Sequence, residues 1–125
     1  MNLAVSIRQI RDVSILDAAG RITIGESATT LRETIRTMAK EGRTKILINL
    51  AETTHLDSAG LGALVYGFVA ITKQGGQLKL ANLTKRVSNL LLVTKLCTVF
   101  EVFEDEAAAI DSFTAAPSET SNAAG

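Results

Sequence analysis

Apolar residues fall along this chain in two rhythms, and the change from one to the other marks its elements. Leu3, Val5 and Ile7 alternate with Ala4 and Ser6, the period of a half-buried strand. A turn at Arg11 and Asp12 leads to a second apolar run, Val13 to Ala18. Gly20 is placed to bend or bulge this second strand ahead of Arg21, Ile22 and Ile24. From Ser27 the rhythm shifts to three- and four-residue steps, with Ala28, Leu31, Ile35 and Met38 describing one helix face. Ser27 fits the N-cap, where a hydroxyl satisfies a free backbone N–H. Gly42 fits the stop, because glycine accepts the left-handed backbone common just past a helix end.

Lys45 to Leu50 reads as a buried strand, followed by a loop from Ala51 to Leu56. A second helix is predicted to start at Asp57 or Ser58 and to run to about Lys73. Leu61, Leu64, Val65, Phe68 and Ile71 form its main apolar face, and Ala63 and Val69 widen it, so the helix should be largely buried. Gly75-Gly76 ends it, and Leu78 and Leu80 alternate in a short strand. Thr84 is positioned to cap a third helix lined by Val87, Leu90, Leu91 and Thr94. Val99 to Phe103 has the β-branched and aromatic content of a last strand. Glu104, Asp105 and Glu106 then place negative charge where a fourth helix, Ala107 to Phe113, would start.

Strands separated by helices favour parallel pairing, while the first two strands are joined closely enough to pair antiparallel. The expectation is an α/β fold with a single mixed β-sheet of about five strands packed against about four helices. It would form one domain over residues 1–113. Residues 114–125, with Pro117 among Ser, Thr, Asn and Ala, are expected to be a disordered tail.

Composition narrows the chemistry. A chain of 125 residues, 46% of them apolar, is long enough to build a core without disulfides or metal. That core must be mostly aliphatic, since the aromatics are only Phe68, Phe100, Phe103, Phe113 and Tyr66. Thirteen basic and thirteen acidic residues cancel, which argues against broad electrostatic binding to nucleic acid. Cys97 and His55 are each the sole residue of their type, so an internal disulfide is impossible and a zinc site is not expected. No cofactor is expected. The first residues lack the charged start and apolar run of a signal peptide. The segment Leu61 to Ile71 comes nearest to a membrane span but is short and broken by Gly62 and Gly67. A cytoplasmic protein without membrane contact is the expectation.

The informative stretch follows the strand Ile46-Leu47-Ile48-Asn49-Leu50: Leu56-Asp57-Ser58-Ala59-Gly60-Leu61-Gly62. It puts a serine where a loop turns into a helix, and the unpaired backbone N–H groups there favour anions, including phosphate. Gly60 and Gly62 lower helix propensity, so close packing or room for a partner's backbone must justify them. On the residues alone, Asp57 or Ser58 as a plain cap and glycines as packing devices account for the pattern. Capping and signalling are compatible.

The run Asp57-Ser58-Ala59-Gly60-Leu61-Gly62 resembles the signature of STAS-domain anti-sigma factor antagonists. Gly20-Arg21-Ile22-Thr23 with Gly25-Glu26, and Ala81-Asn82-Leu83-Thr84, extend the resemblance across about residues 3–113. It implies that Ser58 is the phosphorylation site, with Asp57 its preceding acidic residue. It further implies a partner surface formed by Asp57, Ser58, Ala59, Gly60, Leu61 and Gly62, with Thr54, His55, Gly25 and Glu26 beside them. The implied partners are an anti-sigma factor that is itself a serine kinase, bound while Ser58 is unphosphorylated so that a sigma factor is released, and a phosphatase that resets Ser58. Many members carry a second serine where this chain has Ala59, which leaves Ser58 the only acceptor within the motif. Self-association is expected to be no more than a weak homodimer. The alternative that the resemblance admits is a STAS adaptor that does not switch, a subunit of a stress-sensing or lipid-transport complex.

Other residues read more simply. His55 is expected to be a loop residue rather than a catalytic base, since no nucleophile is paired with it. Thr53 and Thr54 read as solvated loop positions, Cys97 as a small core residue, and Leu92 and Leu96 as extensions of the core. Arg8, Arg11, Arg21, Arg32 and Arg36 read as scattered solvated charge. Catalysis ranks low: the chain has no G-x-G-x-x-G, no G-x-x-x-x-G-K-[ST] and no G-x-S-x-G elbow around Ser58.

Overall fold

A computed structural model describes residues 3–114. Strand β1 (Ala4–Ile10) turns back through Arg11, which takes a left-handed backbone (φ 55°), and pairs antiparallel with β2 (Val13–Ile22) from Ala4↔Ala19 to Ile10↔Val13. Helix α1 (Glu26–Lys40) crosses over to β3 (Lys45–Asn49), which lies parallel to β2 with Asp17 opposite Asn49. Next come β4 (Thr53–Leu56), α2 (Ser58–Lys73), β5 (Gln77–Ala81), α3 (Lys85–Val93), a 3-10 turn at Leu96–Thr98, β6 (Glu101–Phe103) and α4 (Glu106–Thr114). The main sheet runs β1-β2-β3-β5-β6, and all its pairings after the first are parallel. This is the mixed α/β architecture expected from the alternation of the two rhythms.

The sheet separates two apolar clusters, because successive strand residues face opposite sides. Leu16, Ile46, Ile48 and Leu80 face α1, α2 and α3, which contribute Leu31, Ile35, Leu64, Ile71, Val87 and Leu91. Val13, Ile15, Leu47 and Ala81 face α4 through Ala109, Ile110 and Phe113.

The sequence places a loop where the sixth strand lies. Thr53–Leu56 pairs parallel with the end of β2, Gly20↔Thr53 and Arg21↔His55, across a register shift at Gly20. Gly20 takes φ 112°, a bend in β2 where its pairing passes from β3 to β4, while the extra residue of the register shift is Thr54 on β4. Ser27 is not the N-cap of α1; that position falls to Gly25 (φ 107°). The Ser27 hydroxyl instead accepts from Thr23 N (2.8 Å) and donates to Thr23 O (3.0 Å), closing the preceding loop. The last strand starts at Glu101, since the Val99 and Phe100 amides are bonded back to Leu96 O in the 3-10 turn before it.

Several side chains differ from expectation. Cys97 is exposed, as are Leu92 and Val69, while Leu96 packs partly against the core. Thr53 is buried and its hydroxyl donates to Ala18 O (2.9 Å), so it is not a solvated loop residue. Arg8 is not free surface charge: it forks onto both Asp17 and Glu106. The tail expected at 114–125 lies outside the described residues except for Thr114, which closes α4.

Candidate partner-binding site at the start of α2

Asp57 organises the junction. Its backbone is extended (φ −112°, ψ −171°), its carbonyl accepts Leu61 N (2.9 Å), and its Oδ1 accepts Gly60 N (3.0 Å) as an N-cap. Its other oxygen, Oδ2, accepts Ile24 N (2.8 Å) from the loop ahead of α1. One carboxylate therefore ties the β2–α1 loop to the start of α2. The amides of Gly60 and Ile24, in that order, hold the Asp57 carboxyl below its ordinary value.

Ser58 is the first helical residue, and it is exposed. Its hydroxyl makes no hydrogen bond among the described residues, so nothing in the fold depends on it and nothing shields it. Ala59 is half-buried, whereas Gly60 and Leu61 are buried. A Cβ on Gly60 would run into the Ile22 carbonyl oxygen and come within 2.6 Å of Leu56 Cδ1. Gly60 is thus a packing glycine that lets α2 touch the end of β2. Gly62 is different: a Cβ there would meet only Arg32 Nη2 at 4.0 Å. No internal contact justifies its helical cost, and it lies one turn along from Ser58.

Gly25 and Glu26 are exposed beside this junction, and Ile24 is 81% exposed, a large apolar side chain offered to solvent. Arg32 of α1 lies over the Tyr66 ring of α2 (5.3 Å to its centroid), fixing the two helices next to Gly62. Thr54 is exposed and His55 half-buried on β4, where His55 Nδ1 lies 3.1 Å from Thr54 Oγ1.

A family model described as the STAS domain matches residues 4–109. The chain belongs to the STAS domain family. It is 35% identical over 102 residues to the anti-sigma-B factor antagonist of Bacillus subtilis (strain 168), a span covering 82% of this chain and 92% of that protein. A solved Thermotoga maritima chain described as an anti-sigma factor antagonist superposes with a TM-score of 0.83 at 22% identity, covering 88% of this chain and 94% of its own. The Bacillus cell fate determinant SpoIIAA in its phosphorylated form gives a TM-score of 0.69 at 20% identity, covering 87% of this chain and 98% of its own. These structural likenesses establish the fold.

Within this STAS domain, the backbone ties through Asp57 bring Gly25, Asp57, Ser58 and Gly60 together at one junction. His55 and Thr54 precede that junction on a strand rather than a loop. Sequence reasoning missed Ile24, assigned to the end of a strand, and the Arg32–Tyr66 pair. The available signal for Ile24 was its place between Thr23 and Gly25, where a strand gives way and an apolar side chain loses its sheet.

Proposed function

We propose that this STAS domain is a cytoplasmic anti-sigma factor antagonist, a regulatory binding module whose partner is released when Ser58 is phosphorylated. Its relatives are regulators that carry the name anti-sigma-B factor antagonist. The observation that carries the switch is an exposed, unengaged Ser58 hydroxyl at a helix start whose cap is already taken by Asp57. The Gly60 and Ile24 amides are committed to the Asp57 carboxylate. A phosphoryl group on Ser58 stands beside that existing negative charge.

A phosphoserine brings roughly −1.5 to −2 charges and three acceptor oxygens. In an interface it adds like-charge repulsion against Asp57 and a desolvation cost. A loss of about 2.8 kcal/mol weakens binding about a hundredfold, so no refolding is needed. The unphosphorylated form binds an anti-sigma factor that is also the serine kinase, and so frees a sigma factor; a phosphatase restores it. The domain is not an enzyme: the chemistry at Ser58 belongs to the kinase and phosphatase.

The test compares wild type, Ser58→Ala and Ser58→Asp for binding to the cognate anti-sigma factor by calorimetry, with the phosphate mapped by peptide mass spectrometry. The expected result is phosphate on Ser58 alone, wild-type affinity for Ser58→Ala and strongly reduced affinity for Ser58→Asp. Equal affinity for both variants, or no phosphate with an active kinase, identifies a constitutive adaptor instead.

A further inference from the structure

Among the described residues, Arg8, Arg11, Arg36 and Arg43 each reach a carboxylate. Arg21, Lys85 and Arg86 form no ion pair. Arg21 and Arg86 both flank His55, and Lys85 neighbours Arg86 on α3. Arg21 stands opposite His55 in the β2–β4 register. Thr84 and Arg86 line the far side of an open cleft of about 380 Å³, with Glu52, Thr54 and His55 on the near side. Lys85 and Arg86 occupy the first turn of α3, which has no acidic residue although the helix dipole there favours negative charge. Glu52, the one acidic residue of the lining, pairs with none of them. The chain as a whole is neutral, so the positive field is a matter of placement. Desolvation, then the charges of Arg21 and Arg86, hold the His55 imidazole below its ordinary value.

We propose that this cleft between β4 and α3 receives carboxylate side chains from an acidic segment of the protein partner. The proposal deepens the anti-sigma factor antagonist reading and rests on it. A segment fits better than a small anion because the cations sit on two separate elements, β2 and α3, around an open cleft. Thr84 Oγ1 accepts from Val87 N and keeps its own proton to donate, and Thr54 Oγ1 lies against His55 Nδ1. Flexible cations on separate elements suit carboxylates spaced along a chain. The cleft is also continuous with the switch in the chain, since β4 ends at Leu56 and Asp57 leads directly into Ser58 at the start of α2. An acidic segment docked here gives a phosphate on Ser58 a charge to repel.

His55 is the only histidine, so its imidazole NMR signal reports on the cleft without ambiguity. We would titrate the intact protein with a hexaglutamate peptide, with hexaglutamine and with inorganic phosphate, using wild type, Arg21→Glu/Arg86→Glu and the milder Arg21→Gln/Arg86→Gln. Hexaglutamate is expected to raise the His55 pKa and to bind at least about tenfold more weakly to the charge-reversed variant. Binding should also weaken severalfold as the Debye length contracts from about 30 Å at 0.01 M to about 8 Å at 0.15 M ionic strength. The Gln variant keeps the result readable if charge reversal disturbs the fold. No response to hexaglutamate, an equal response to hexaglutamine, or saturation by phosphate at lower concentration would each overturn the proposal, the last marking a small-anion site. Neither kinase nor Ser58 enters this assay, so its failure leaves the phosphorylation switch standing.

Discussion

Gly60 and Gly62 occupy the same turn of α2, yet the surroundings give them opposite roles. Gly60 has the Ile22 carbonyl against the space a methyl would fill, and a backbone atom cannot swing away. Gly60→Ala is expected to destabilise the domain by about 1–3 kcal/mol, the usual cost of overpacking. Gly62 has open space at the same position and a helical backbone that alanine prefers. Gly62→Ala should stabilise by about 0.5–1 kcal/mol, the ordinary gain of alanine over glycine inside a helix. Its methyl would stand one turn from Ser58, on the surface proposed for the partner. Urea denaturation and calorimetry with the cognate anti-sigma factor read the two effects separately. The expected pattern is a less stable Gly60→Ala and a more stable Gly62→Ala with weakened binding. A Gly62→Ala protein that binds normally would remove that glycine from the interface.

The strand β4 holds the switch in place, and it was the element hardest to read. Thr53-Thr54-His55-Leu56 lacks the apolar alternation of a strand, and its polar residues look like loop. What makes it a strand is distant: β2 runs on past the end of its pairing with β3 at Asp17, and β4 supplies the partner for that end. Thr53 carries that dependence in one bond, its buried hydroxyl donating to Ala18 O. Thr53→Val keeps the shape and removes the donor, so it should cost about 1 kcal/mol, the net worth of such a bond. Amide exchange should quicken in β4 more than in β3. By contrast, β3, β5 and α1 were legible because their apolar periods match the faces they bury. The start of α2 was legible too, since Asp57 is a strong cap whatever its neighbours. Its second bond, to Ile24 N, was not, because it joins positions 33 residues apart. Cys97 and Leu92 misled for a related reason: apolar character does not say which side of a short helix a neighbouring layer will cover.

Across the whole molecule, one polar chain binds the sheet to α4 at the strand ends nearest that helix's start. Arg8 donates to both oxygens of Asp17 (2.6 and 2.9 Å) and both of Glu106 (3.1 and 2.7 Å). Asn49 donates to Asp17 (2.8 Å), and Asn82 donates in turn to Asn49 (3.0 Å). Residues from β1, β2, β3 and α4, and Asn82 just past β5, are thereby linked, and Phe113 is buried beneath the same helix. The hydrogen bonds from Arg8, and then from Asn49, outweigh desolvation and hold the Asp17 carboxyl below its ordinary value. The sign of the consequence follows. A carboxyl whose folded pKa is depressed contributes its full stability above the unfolded value, about 3.9 for aspartate. That contribution fades as pH falls from there through the lower folded value, because the unfolded state then takes up the proton first. Stability measured by urea titration should therefore decline below about pH 4 in wild type. Asp17→Asn should be less stable at neutral pH, with a shallower acid decline, because this titrating group is gone. Its loss leaves Arg8 one carboxylate partner, Glu106, so the helix end should also show faster amide exchange. An acid slope identical to wild type would mean that other carboxylates, Asp57 and Asp12 among them, govern the acid limb.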